Sequence, residues 1–296
     1  MTLTKKVGIS IALIFAFIQP AHSQSQTAMS SNGDGEIKPL WEFGVFAAAF
    51  NVPEYPAADK NSSNLIAVPY IVYRGDVIRI GDGSAARAVA LEKDWIEIDL
   101  SLDAAFNADS SDNPVREGMP DIDYMFEVGP QIKFRLLKLS FEDAGNAKLS
   151  LDIKTRSVFS TDLSNFAHRG YVFHPEISYD HFDLFGEDSR LSINVAPNWG
   201  SEKLHDYFYQ VSGEFTTDER PEYNAKGGYL GTEISIGLST MVSNKIRVFA
   251  FTQINLHHGA ANRVSPLFRD KDTYSVGLGL SWRVFESKEK APIQQF

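Results

Sequence analysis

The chain has 296 residues, 43% of them hydrophobic, with 38 acidic against 28 basic side chains and a formal charge of −10. Loss of a leader carrying Lys5 and Lys6 takes that charge from −10 to −12, which excludes broad affinity for nucleic acid, since neutralising phosphates needs clustered Lys and Arg. The absence of cysteine excludes disulfides, thiolate zinc sites, iron–sulfur clusters and thiol nucleophiles, and nothing else in the sequence calls for a cofactor.

In chain order, Lys5 and Lys6 precede an apolar run over residues 7–18, and Ala21 and Ser23 take the two small positions of a cleavage site. Residues 1–23 therefore read as a signal peptide cut after Ser23. The run falls short of the ~20 apolar residues that a membrane-crossing helix needs. Residues 24–40, rich in Ser, Gly and Gln, read as a disordered periplasmic lead-in. No later stretch is both long and continuously apolar, so no transmembrane helix is expected.

From Trp41 onward the chain alternates. In residues 95–106, Ile96, Ile98, Leu100, Leu102, Ala104 and Phe106 interleave with Trp95, Glu97, Asp99, Ser101, Asp103 and Ala105. Successive side chains of a strand point to opposite faces, so one face is apolar and the other largely acidic. Residues 124–136 repeat the pattern with Tyr124, Phe126, Val128, Pro130, Ile132, Phe134 and Leu136 opposed to Glu127, Gln131, Lys133 and Arg135. It returns in 149–159, 171–179, 191–197, 234–240, 246–256 and 274–284, and less regularly in 41–50, 65–73, 77–80 and 86–91.

About twelve strands result, an even number, as closed bacterial barrels require. Ten strands with a short inner hairpin at 77–91 is the alternative. Many segments approach the ~9–11 residues of a tilted membrane strand, charges sit mid-strand on one face, and aromatics gather near strand ends. Short links at 74–76, 92–94, 185–188 and 243–244 interleave with long ones at 51–64, 107–123, 161–169, 200–227 and 257–272, as in an up-and-down meander. The stretch 138–147 is long for a periplasmic turn. The reading is an all-β, transmembrane, antiparallel up-and-down barrel over residues 41–285 with a tail at 286–296, placed in the cell outer membrane against lipid and lipopolysaccharide.

Several loop landmarks resemble the MipA/OmpV family, the MltA-interacting outer-membrane proteins. Trp41-Glu42-Phe43-Gly44 with Pro53-Glu54-Tyr55-Pro56 is similar to that family's first strand and loop, and Pro69 to Asp76 to its second. The most specific match runs from Asp109 to Asp123 through Asp112, Asn113, Arg116, Glu117, Gly118, Met119, Pro120 and Asp121, followed by Phe126-Glu127-Val128-Gly129-Pro130. Asp206 to Ser212 and Ser265-Pro266-Leu267-Phe268 also fit. The resemblance covers residues 41–285. It implies a non-enzymatic scaffold that links a murein lytic transglycosylase to a bifunctional penicillin-binding protein in peptidoglycan remodelling. One departure is the charged tail: Phe285 ends the last strand on the face opposite Trp282 and Val284, so either Phe285 or Phe296 serves as the terminal aromatic that assembly machinery recognises.

The alternation assigns Glu97, Asp99, Asp103, Glu127, Lys133, Arg135, Asp152, Lys154, Arg156, Glu176, Asp180 and Arg247 to the lumen. Both signs are present, which suits either a channel lining or interlocking ion pairs that plug a small barrel. A small pore for solutes or antibiotics is thus the alternative function. The carboxylates of the loop 109–123 suit a calcium ion or a divalent bridge to lipopolysaccharide, but lack EF-hand spacing, and a turn-rich solvated loop has the same composition. His257-His258 lacks a third ligand nearby. Arg74, Gly75 and Asp76 spell an adhesion tripeptide but fall at a turn. No Gly-x-Ser-x-Gly elbow ties a serine to His168, His174, His181 or His205. Tyr207, Phe208, Tyr209 and Tyr223 form either an adhesive patch or packing over the barrel mouth.

Overall fold

A computed structural model describes residues 37–74, 78–80, 87–88, 91–93, 95–105, 107–142 and 144–292. The signal peptide, the lead-in up to residue 36, Gly75, Asp76, Phe106 and Phe296 lie outside the described residues. The strands, in chain order, are β1 Ile37–Pro39, β2 Trp41–Pro53, β3 Asn61–Arg74, β4 Ile78–Ile80, β5 Arg87–Ala88, β6 Leu91–Lys93, β7 Ile96–Ala105, β8 Tyr124–Ser140, β9 Asn146–Thr161 and β10 Phe166–Phe182. There follow β11 Arg190–Gly200, helix α1 Glu202–Tyr209, β12 Gly228–Ser243, β13 Ile246–Leu256, β14 Asp272–Glu286 and β15 Lys290–Pro292.

Ten of these are long, the smaller of the two strand numbers that the alternation allows. The segments 77–80 and 86–91, counted as two further strands, are reduced among the described residues to the three-residue β4 and the two-residue β5. All pairings are antiparallel between chain neighbours, and the first and last long strands, β2 and β14, also pair. The ladder therefore runs without interruption from β3 through β2 and β14 back to β7, with β4–β5 and β6 at its two ends.

Strands extend beyond the alternating cores read from sequence because a ladder needs only backbone partners. β8 and β9 run on to Ser140 and from Asn146, so the long turn shrinks to five residues. The link read as a long loop at 161–169 is four residues, tightened by Asp162, whose carboxylate accepts from the Ser164 and Asn165 amides. Ile37–Pro39, assigned to the disordered lead-in, pairs with Lys290–Pro292 of the tail. Arg74 donates to the Pro39 carbonyl at 2.8 Å and pairs with Glu42, so both chain ends are tied to the barrel's short-turn end.

The outward face carries exposed Phe43, Val45, Leu65, Ile71, Ile177, Val195, Ile236, Val276, Leu278 and Leu280. Aromatic rings bound this belt at both ends. Trp41 lies on Tyr73 (4.3 Å) and Phe43 near Phe285 at the short-turn end, while Trp199 meets Phe173 and Tyr229 at the other. Tyr274 and Trp282 are eight residues apart on β14, about 26 Å of strand, or roughly 20 Å along a barrel axis at the usual tilt, close to the ~25 Å apolar band of outer-membrane barrels.

The face assigned to Phe285 is corrected by a bulge. Register slips between Arg283 and Phe285, so that Phe285 faces Phe43 and joins Trp282 on the outside. One inserted residue reverses the parity of everything after it.

Candidate functional site

The barrel interior divides into two walls. On β2, β3, β13 and β14 it is apolar: Phe46, Phe50, Ile66, Tyr70 and Val72 are buried and pack with Phe249 and Phe251. Phe46 and Phe249 stack at 5.2 Å. Glycine makes room for these rings, since a Cβ on Gly277 would collide with the Phe251 ring and one on Gly279 with Phe249.

On β7 to β12 the wall is charged. Arg156 donates to Glu127 at 2.7 Å, to Ser101 at 3.2 Å and to Asp103 at 3.3 Å. Arg135 pairs with Glu97 at 2.7 Å, Lys133 with Asp152 at 3.4 Å, Lys154 with Glu176 at 2.9 Å and Arg190 with Asp180 at 2.6 Å. Burial leaves these charges little water, so each needs its partner. Between the walls lies a cavity of about 740 Å³.

Of the twelve residues assigned to the lumen, eleven line this cavity: Glu97, Asp99, Asp103, Glu127, Lys133, Arg135, Asp152, Lys154, Arg156, Glu176 and Asp180. Arg247 instead donates to the Asp188 carbonyl at 3.0 Å and holds the turn 183–189. The sequence reading missed Lys148, His174, Arg190, Asn198 and Glu233, which line the same space. The signal was available, because extending the alternation one residue upstream of 149, 191 and 234 puts Lys148, Arg190 and Glu233 on the inner face.

Four long connections close over the other end of the barrel. In α1 the residues Leu204, His205, Phe208 and Tyr209 are buried on one face. Leu204, Phe208 and Tyr209 join Tyr55, Ala58, Ile122, Val211, Ala225 and Leu267 of the connections and Met125, Val158, Val172 and Leu230 of the strands beneath in one hydrophobic core that seats the cap on the barrel mouth. Hydrogen bonds stitch the connections together: Tyr55 Oη donates to Leu267 O (2.8 Å), Tyr209 Oη to Pro56 O (2.9 Å) and Ser265 Oγ to Tyr209 O (2.9 Å). Arg220 donates to the carbonyls of Val115, Glu117 and Phe215. Loss of solvent raises the phenol pKa of both Tyr55 and Tyr209.

The motif 109–123 is part of this cap. Asp109 accepts from the Ser111 amide and hydroxyl at the start of the 3₁₀ turn Ser110–Asp112, and those bonds hold its carboxyl below the usual range. Asn113 donates to Glu54 at 2.7 Å, Asp121 accepts from the Ser110 amide at 2.8 Å, and Gly118 takes a left-handed φ of 79°. Arg116, buried, donates to Ser110 Oγ, Pro120 O and Phe208 O and lies over the Tyr55 ring, while Met119 packs on the cap core. Among the described residues no three His, Asp or Glu converge as a metal site.

Two histidines are built into the cap as neutral rings. His205 Nε2 donates to Gly228 O (3.0 Å), so Nδ1 accepts from Asn262 Nδ2 (2.6 Å). His257 Nδ1 donates to Leu230 O (2.8 Å), so Nε2 accepts from the Ala57 amide and the Thr273 hydroxyl (3.1 Å each). Burial lowers the pKa of both. His258 pairs with Asp272, His174 with Glu176, and His181 sits between Tyr179 and the Ala144 carbonyl. Among the described residues no histidine bonds a serine hydroxyl. Tyr207, Phe208, Tyr209 and Tyr223 pack into the cap, with Tyr207 Oη accepting from the Asp123 amide and Tyr223 Oη donating to Asn262. That is the mouth-packing alternative.

An apolar outer belt, a polar interior, short turns at one end and long connections at the other define an outer-membrane β-barrel protein. Within that class the chain belongs to the family described as MltA-interacting protein MipA, whose model matches residues 45–284. No curated protein matches it. Among solved structures it is similar to a bacterial polysaccharide outer membrane secretin (10% identity, 83% of this chain and 99% of that one, TM-score 0.41). It is also similar to the COG4313 outer membrane channel from Pseudomonas putida F1 (10%, 87% and 100%, TM-score 0.37) and to outer membrane phospholipase A from Escherichia coli (10%, 82% and 92%, TM-score 0.30).

Proposed function

We propose that the protein is a non-enzymatic scaffold that holds a murein lytic transglycosylase, together with a bifunctional penicillin-binding protein, at its periplasmic face. The observation that carries the reading is the cap: four connections that share one hydrophobic core with the strand ends beneath them lie across the external mouth, and Arg135, Lys154, Arg156 and Arg190 below are paired across strands. Such an interior favours holding over passing solutes. The choice of partner rests on the family description. The face offered to a partner is then the short-turn end, where β1 and β15 pair.

Photo-crosslinking in intact envelopes tests this. A crosslinking residue at exposed Lys288 is expected to capture a peptidoglycan enzyme, and one at exposed Glu219 in the cap is not. Capture at neither position, or equal capture at both, refutes the proposal. The pore is the second reading, favoured by the cavity itself. Steady single-channel openings of the purified protein in planar bilayers would establish it, and silence favours the scaffold.

A further inference from the structure

We infer that the lumen holds a binding site for a primary organic ammonium with an apolar body, made by Glu233 beside the phenylalanine wall. The charged wall is unevenly neutralised. At its short-turn end Glu97, Asp152 and Asp180 each have a cationic partner. Nearer the cap, Asp103, Glu127, Glu176 and Glu233 have Arg156, Lys154 and His174 as their basic neighbours among the described residues. Carboxylates there outnumber basic side chains by four to three.

Glu233 is where that surplus is unbound. It lies on β12, nearly surrounded by protein yet open to the cavity, and it makes no hydrogen bond or ion pair with any described residue. Its neighbour on β11 is Ala196, whose methyl side chain offers the carboxylate no donor. A carboxylate that accepts no hydrogen bond from the protein selects a cation that carries N–H groups. A quaternary ammonium lacks them.

The apolar wall supplies the rest of the site. Phe46, Phe50, Phe249 and Phe251 line the same cavity. Aromatic faces attract cations and remove an apolar body from water. A cavity of about 740 Å³ lies within the usual 300–1,000 Å³ range of small-molecule sites. This inference does not depend on the periplasmic partner.

The test is calorimetric titration of the full-length, detergent-folded protein with 2-phenylethylamine. Saturable binding is expected, at least tenfold weaker for 2-phenylethanol and for phenyltrimethylammonium, and absent for 3-phenylpropionate. E233Q, isosteric and removing no contact, is expected to weaken 2-phenylethylamine at least tenfold. E219Q makes the same charge change on the exposed cap surface and is expected to leave it unchanged. A heat-dependent gel shift equal to that of the unsubstituted protein shows that E233Q has folded. No saturable binding, equal binding of the neutral alcohol, or equal affinity for folded E233Q overturns the inference.

Discussion

Asn262 is fully buried and makes four hydrogen bonds, so Asn262→Ala tests whether the cap is a folded unit with its own stability. Its Nδ2 donates to His205 Nδ1 and to Lys226 O, and its Oδ1 accepts from Tyr223 Oη and the Lys226 amide. Water can re-solvate Lys226, which is exposed, and Tyr223, which is only partly buried. His205, wholly buried, is left with an unpaired acceptor, at a cost of ~1–3 kcal/mol, and about 1 kcal/mol more goes with the remaining bonds. A local loss of roughly 2–4 kcal/mol follows, and at tenfold per ~1.4 kcal/mol the cap opens about 30- to 700-fold more often. Hydrogen exchange in detergent micelles reads this directly. Amides of α1 and of Val211 and Tyr223 are expected to exchange faster by that factor, while β9 and β10 stay protected. Unchanged exchange in the cap, or equal acceleration in the barrel strands, refutes the view that the cap opens separately from the barrel.

Acid is expected to loosen the same unit. Because the folded-state pKa values of His205 and His257 lie below the unfolded value of ~6.5, their contribution is fully present above pH ~6.5 and is lost as pH falls through the depressed values. Limited proteolysis within residues 201–227 should therefore accelerate from pH 7.5 to pH 5, and equal resistance at both values contradicts the neutral-ring assignment. Arg156→Met strands the Glu127 carboxylate and is expected to cost about 3 kcal/mol in urea unfolding from vesicles, with much of it recovered by adding Glu127→Met. Independent, additive costs would show that the pair does not couple. Gly277→Val drives a side chain into the Phe251 ring and is expected to cost ~1–3 kcal/mol, largely restored by Phe251→Ala. Failure of that rescue would place the strain elsewhere.

The alternation from Trp41 onward determines the strands and the two faces of each by itself, because period two is imposed residue by residue by the strand backbone. It was enough to place Glu97, Lys154 and Arg156 inside and Leu278 and Trp282 outside. Parity read locally fails where a bulge resets it, as at Phe285, and strand ends fail where the ladder outruns the apolar pattern, as at Lys148 and Glu233. Loops carry no period at all. The residues 109–123 and 200–227 were legible as motifs and as aromatic clusters, but not as one cap, because its bonds join residues far apart along the chain, 212 positions in the case of Tyr55 and Leu267. Which carboxylate is paired and which stands open to the cavity is likewise settled only when strands distant in sequence are rolled around one interior, since charge compensation depends on distance in space and not on order in the chain.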